Sequence, residues 1–506
     1  MKKIELLAPA GLPRQSKRES KIELLAPAGL PRQSKRESKI ELLAPAGNLE
    51  KLKYAIAYGA DAVYAGVPDF SLRVRINNFT EDSLREAVYF AHQHKKKIYI
   101  TLNIYAHNVH LENIKRHLKF LKNLNIDGVI VADPGIIMLV QKYLPKVEIH
   151  LSTQANATNI EAVKFWAKAG VKRIVLAREV TLKEIREIKK AVPKMELEYF
   201  IHGAMCMSYS GRCILSKWMS NRSANLGDCT QPCRWKYSQK VQSSNFKFQM
   251  NLKPKIKNLK TCQERNNNEI LAASVVDDQK RFEVDLEEDR HGTYFFNSRD
   301  LNLSSHIQDL LEAGIDSLKI EGRAKSVYYV ATVARAYRQI IDAVGRKNFK
   351  QVVKEQQKEL DSLVNRGYSK GFLLGNEPEH NFEGKLFDGE NIHPHTKNNV
   401  KKSYDKIKRL TNKKSSFGVG VKFVGQIEGR KKIAGQTFNI VFMHNEMFLT
   451  DKIEAIEPKG NKKVKIKKIL NYKLEEVAEA HGGHDKRFFV RFDVVLPNHT
   501  LIRVKS

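Results

Sequence analysis

From residue 39 onward, short apolar runs alternate with amphipathic helical patterns, and no other feature constrains the fold of this chain as strongly. The runs ELLAPAG (41–47), DAVYAGV (61–67), KIYITLNI (97–104), DGVIVADP (127–134), VEIHLSTQ (147–154), KRIVLAR (172–178) and LEYFIHG (197–203) are mostly apolar and β-branched, as strands buried on both faces are. The helical patterns between them carry start signals. Asn48 is placed to cap NLEKLKYAIAYGA, and Thr80 opens TEDSLREAVYFAHQH with acids in its first turn. An eighth run, DSLKIEG (316–322), lies between two further helical patterns. Strands joined in strict order by helices pair in parallel. Eight such units predict an α/β fold, a (β/α)8 TIM-type barrel, with an open doubly wound sheet as the alternative for the same local pattern.

Other segments depart from this rhythm. KIELLAPAGLPRQSKRES occupies residues 3–20 and recurs unchanged at 21–38, and a third copy runs on into the first helix. Copies this short and this identical read as a tandem duplication, and residues 1–38 are expected to be largely disordered. The barrel is expected over 39–345, with a cysteine-rich insertion at 204–300 whose 238–290 stretch is polar and weakly periodic. A helical and basic linker follows at 346–415. From 416 to 506 the period changes to two, in FGVGVKFVGQIEG, AGQTFNIVFM, KKVKIKKIL and KRFFVRFDVVL, which predicts a small C-terminal all-β barrel domain of a kind that often holds RNA.

Charge narrows the partners. Lys and Arg number 88 against 56 Asp and Glu, a formal net charge of +32. That excess favours polyanions, with RNA, DNA and anionic membrane faces as the classes to weigh. No apolar run is long enough to span a membrane, and the start of the chain is too short and interrupted for a signal peptide. The expected location is cytoplasmic, where clustered cysteines point to metal or catalysis rather than disulfides.

Four of the five cysteines do cluster. Cys206, Cys213, Cys229 and Cys233 follow the pattern C-x6-C-x15-C-x3-C, while Cys262 stands apart. Zinc and iron–sulfur clusters both take four thiolates. Structural zinc usually uses two tight pairs, and here only the last pair is tight. The spacing fits an iron–sulfur cluster better, with a zinc knuckle and unligated cysteines as the alternatives. Polar residues also gather at strand ends: Asn103 with His107, Asp133, Ser152 with Thr153 and Gln154, Arg178 with Glu179, His202, and Lys319 with Glu321 and Arg323. Each alone reads as a cap or a loop hydrogen bond. Together, at the C-terminal ends of barrel strands, they mark the face where such barrels bind substrate.

EYFIHGAMCMSYSGRCILS (198–216) matches, position for position, the signature of the collagenase-like peptidase U32 family, with Glu198, Phe200, Gly203, Ala204, Cys206, Gly211, Cys213 and Ser216 at the defining positions. ELLAPAGNLEKL, STQANATN, NRSANLGDCTQPCRWKY, HGTYFFNSRDL, SLKIEGRAKSVYYVA and RGYSKGF also resemble that family, from residue 39 to the end. The resemblance is closest to members that hydroxylate the tRNA wobble uridine to 5-hydroxyuridine. It implies a 4Fe–4S cluster on Cys206, Cys213, Cys229 and Cys233, prephenate as the hydroxyl source, tRNA as a partner and a possible partner subunit of the same family. On that reading Arg323, Lys319 and Arg178 would hold a small dicarboxylate co-substrate such as prephenate. His202 and Glu198 would move protons, and Asn103, Gln154 and Asn156, with Glu321 beside them, would contact base or ligand. Proteolysis, the activity in the family's name, is the alternative. The chain has no H-E-x-x-H and no G-x-S-x-G; Cys206 with His202 is a conceivable thiol–imidazole pair, and an Asp/Glu mechanism stays open. A cluster enzyme that does not act on RNA and a non-catalytic RNA-binding cluster protein complete the readings.

Overall fold

The computed structural model describes residues 40–66, 79–206, 208–213, 216, 229, 299–365, 367–375, 421–482 and 487–505, together with the backbone of three strands between 271 and 294. The duplicated segment 1–38, the basic run near 397–414 and Cys233 lie outside the described residues.

Eight parallel strands form a closed barrel: β1 (Glu41–Ala46), β2 (Ala62–Gly66), β3 (Lys97–Leu102), β4 (Gly128–Val131), β5 (Glu148–Leu151), β6 (Arg173–Val175), β7 (Glu196–Ala204) and β8 (Ser317–Ile320). Each pairs with the next, and β8 closes the ring by pairing with both β7 and β1. The eight apolar runs are thus the eight barrel strands, and the open-sheet alternative is excluded. Helices α1 (Leu49–Ala57), α2 (Glu81–Gln93), α3 (Leu111–Leu121), α4 (Pro134–Tyr143), α5 (Ile160–Lys168) and α6 (Leu182–Ala191) follow the first six strands. Asn48 caps α1 by accepting from the Lys51 amide, and Thr80 and Ser83 form a capping box on α2. Asp133 caps α4, so this strand-end carboxylate is accounted for by helix geometry. After β7 come α7 (Ile307–Glu312), then α8 (Val327–Ala343), which is almost wholly buried, and α9 (Phe349–Asp361).

The insertion between β7 and β8 is not featureless. Its backbone forms a three-stranded antiparallel sheet of Leu271–Val276, Glu283–Asp289 and Gly292–Tyr294, which its polar composition did not suggest.

The C-terminal part is a seven-stranded antiparallel sheet in the order Gly460–Val464, Ile453–Glu457, Leu501–Lys505, Val421–Ile433, Gln436–Met443, Arg487–Phe492 and Ile466–Leu470. The two outermost strands are separated in the chain only by Lys465, so the sheet has to curl until its edges meet. Val424, Ile427, Val441, Val490 and Ile502 fill the space it encloses. This small barrel is bonded to the large one along α1 and α8. The Tyr328 ring stacks on Phe423 at 4.9 Å, and the Tyr58 hydroxyl donates to the Ile456 and His499 carbonyls. Buried Arg503 reaches Glu359 at 2.9 Å and the Tyr328 hydroxyl at 3.0 Å. Charges enclosed this way hold their geometry because each has its partner.

Candidate active site at the barrel mouth

The C-terminal ends of β3, β5 and β6 bring together the residues expected to contact substrate. Asn103 donates from Nδ2 to Ser152 Oγ at 3.2 Å, and the Tyr105 hydroxyl holds the Gln154 carbonyl at 2.6 Å. Asn156 sits in the left-handed backbone region, φ +52°, at the end of the short turn that follows β5. Four side-chain atoms here are buried and have no hydrogen-bond partner among the described residues: Asn103 Oδ1, Gln154 Oε1, Asn156 Oδ1 and Arg178 Nε. Buried polar atoms are normally paired, because an unmade hydrogen bond costs about 1–3 kcal/mol. Four of them at one end of a barrel mark a surface shaped for a polar ligand.

The cysteine segment closes over this same end. The Ser210 amide and hydroxyl both bond to the Glu179 carboxylate, the amide at 2.9 Å. Gly211 has φ +76°, and a Cβ there would lie 2.2 Å from the Gln154 carbonyl oxygen, so only glycine lets the segment pack this closely on the end of β5. Cys206 is exposed, with its Sγ 3.9 Å from Arg178 Nη1, and Arg178 lies over the Phe200 ring. Arg178 therefore reaches the cysteine segment, and its own Nε is one of the four atoms without a partner among the described residues. Cys213 is half-buried and Cys229 exposed.

Arg323 enters from the opposite side of the mouth. Its Nη1 donates to Thr101 Oγ1 at 2.9 Å, and its guanidinium lies 5.7 Å from the Tyr64 ring centroid. The Glu321 carboxylate is within 3.4 Å of the Tyr64 hydroxyl. Thr101, Tyr64 and Tyr105 had carried no signal as site residues, whereas Glu179 had been named with Arg178 at its strand end. Thr101 and Tyr64 lie within apolar strand runs, and their role appears only once the barrel closes.

The other three residues expected to be catalytic lie elsewhere. Lys319 and Glu198 point into the barrel below the mouth, 2.7 Å apart and both buried. Glu198 also faces Arg173 at 3.3 Å, and Arg173 continues to Glu41 and Glu196 at 2.5 and 2.8 Å. Burial pushes the Glu198 carboxyl up, but Lys319 and Arg173 outweigh it and hold the group below its ordinary range. A carboxylate committed to two buried cations is held as an ion-pair partner, not poised to exchange protons.

His202 is displaced by a bulge. Strand alternation would put Glu198, Phe200 and His202 on one face, but Lys319 pairs with Phe200 while Ile320 pairs with His202, leaving Ile201 as an extra residue. His202 turns to the helix side, among the rings of Tyr329, Tyr337 and Tyr368, with Nδ1 3.3 Å from the Tyr337 hydroxyl. It is therefore not positioned to activate the Cys206 thiol. Burial lowers its pKa to about 3. The folded state then binds fewer protons than the unfolded one between about pH 6.5 and 3, so this group's contribution to stability is complete above pH 6.5 and falls as pH drops through that window. Acid titration of the thermal midpoint should show this loss, and His202→Gln should flatten it; an unchanged slope would disprove the assignment.

The profile of Peptidase family U32 matches residues 47–383. The chain belongs to the peptidase U32 family. A tRNA hydroxylation protein P of Haemophilus influenzae is 39% identical to it, over 90% of this chain and 94% of that protein. The protein of the same name from Escherichia coli is 38% identical, over 86% and 88%. A relative from Porphyromonas gingivalis named collagenase is 30% identical, over 64% of this chain and 71% of that protein. The relatives of this chain are thus named for two chemistries.

Proposed function

We propose that this U32 protein is an iron–sulfur RNA-modifying enzyme that hydroxylates the tRNA wobble uridine to 5-hydroxyuridine, with prephenate as the donor. The observation that carries this reading is the set of buried polar atoms of Asn103, Gln154, Asn156 and Arg178, without partners among the described residues, beside the cysteine segment. Amide oxygens and a guanidinium nitrogen complement the donor and acceptor edge of a base turned out of its stack. The relatives named for tRNA hydroxylation, similar over most of the chain, support the same substrate. A cytoplasmic location goes with it.

The cluster is argued from the spacing of the four cysteines, since among the described residues no three metal-binding side chains converge. Cys206, Cys213 and Cys229 are thiols outside any disulfide, and Arg178 Nη1 lies 3.9 Å from Cys206 Sγ. Cys206, Cys213, Cys229 and Cys233 would hold a 4Fe–4S cluster, which would supply one-electron or Lewis-acid chemistry when bound. Replacing C5–H by C5–OH oxidises the base by two electrons, and the donor takes up those two electrons as its C–O bond breaks. The protein's own part is to bind and orient. Arg323 and Arg178, from opposite sides of the mouth, are suited to the two carboxylates of the donor. Lys319 is occupied by Glu198, so this pair of guanidiniums replaces the expected trio.

The direct test is the nucleoside content of tRNA from cells with and without this protein. The expected result is 5-hydroxyuridine that disappears on deletion and returns with the wild-type gene; an unchanged profile would refute the reading. At the residue level, Arg323→Ala should raise the KM for prephenate about 10- to 100-fold, the range of a lost charge-assisted contact, with a smaller change in kcat. Unchanged donor dependence would remove Arg323 from the site.

A further inference from the structure

The outward face of the C-terminal sheet combines aromatic rings with cations in an order that no fold requirement explains. Residues paired across antiparallel strands share a face. Phe442 pairs with Arg487, and Lys468 with Arg491. Their strand neighbours Val441, Phe488 and Val490 fill the interior of the small barrel, so Phe442, Arg487, Phe489 and Arg491 face outward. Lys431, exposed on the adjacent strand, lies 5.0 Å from the Phe489 ring centroid, and Arg487 lies 5.7 Å from that of Phe442. Residues 421–505 carry 17 Lys and Arg against 10 Asp and Glu.

The position of this face is also defined. Helices of a (β/α)8 barrel begin at the mouth end, since each follows the C-terminal end of a strand. Gln426 bonds to Glu50 in the first turn of α1, and Phe423 stacks on Tyr328 in the first turn of α8. The strand Val421–Ile433 therefore starts beside the rim of the mouth, and the basic-aromatic face spans this strand, its hairpin partner Gln436–Met443 and Arg487–Phe492 next to it.

We propose that this face docks the RNA, with Lys431, Arg487 and Arg491 on backbone phosphates and the Phe442 and Phe489 rings as platforms for unstacked bases. Alternating cations and rings fit a single-stranded or loop segment, because phosphates and base faces alternate along it. Arg487 and Lys468 each contact one carboxylate, Glu428 and Glu476, across exposed ion pairs that phosphate can replace at little cost. The proposal rests on the tRNA reading above and adds a docking surface outside the barrel mouth.

The test uses the full-length chain with Lys431→Gln, Arg487→Gln and Arg491→Gln combined, measuring tRNA binding against salt, hydroxylation and thermal midpoint. The expected result is a Kd raised at least about tenfold, with the log–log salt slope reduced by about 2, since each lost phosphate contact removes about 0.7. The rate at saturating tRNA should be unchanged. Lys431→Gln alone, which alters one exposed side chain, should show the same trend at about two- to threefold if the triple variant is unstable. Wild-type affinity and slope in both variants, with hydroxylation intact, would overturn the docking face and leave the functional reading standing. Loss of binding in a protein that hydroxylates no RNA would support the face and overturn that reading. Unchanged RNA binding with loss of self-association or of a copurifying protein would make it a protein interface and overturn the proposal.

Discussion

Replacing Cys206 by alanine is expected to strip iron and sulfide from the anaerobically purified protein and to lower tRNA hydroxylation by more than about 100-fold, the upper range even for groups that only support a ligand. Cys206 is the exposed thiol beside Arg178, on the segment that Glu179 and Gly211 hold against β5 and β6. Removing its sulfur leaves that anchoring intact, because neither the Ser210–Glu179 bonds nor the Gly211 packing involves Cys206. The thermal midpoint of the metal-free protein should therefore be nearly unchanged, which separates loss of a ligand from loss of the fold. Iron, sulfide and a visible absorption spectrum, compared between wild type and variant, are the measurements. Zinc in place of iron, or full activity without metal, would refute the cluster. Activity retained with iron lost would make the group structural.

Glu198→Ala is expected to be among the most destabilising single changes in the barrel. It leaves Lys319 buried opposite no carboxylate and takes one partner from Arg173. Removing one member of a buried pair costs about 3–5 kcal/mol, because the remaining charge stays out of water uncompensated. At about 2–4 °C per kcal/mol for a domain this large, the midpoint should fall by roughly 10 °C. The sign of the pH effect follows from the depressed carboxyl. Its folded pKa lies below the unfolded value of about 4.3, so its stabilisation is complete above that value and is lost as pH falls through the folded pKa. Glu198→Gln should weaken this acid dependence. If Glu198→Gln keeps the wild-type midpoint yet abolishes turnover, Glu198 is a catalytic residue and the structural assignment fails.

The strands and their order were legible in the sequence because a parallel strand buried on both faces is written as an uninterrupted apolar run, a signal local to each segment. Asn48 and Thr80 were legible as caps for the same reason. The spacing of the cysteines, and the polar residues Asn103, Gln154, Arg178 and Arg323 at strand ends, could be picked out in the sequence as candidates. His202 was named for its place at the end of the β7 run, and that place did not reveal which way its side chain turns. One extra residue at Ile201 sends His202 into a tyrosine cage outside the barrel wall, and nothing local to EYFIHG announces it.

The sequence by itself determined a (β/α)8 barrel with an appended all-β domain and the end of the barrel where polar groups collect. Only the tertiary structure decided which polar residues are occupied and which are available. Lys319 and Glu198 satisfy each other across β7 and β8, strands whose paired residues lie about 120 positions apart in the chain. Asn103, Gln154, Asn156 and Arg178 keep buried atoms without partners among the described residues. Whether a charge is neutralised depends on what faces it across the closed barrel, and closure is a property of the whole ring of strands rather than of any one of them.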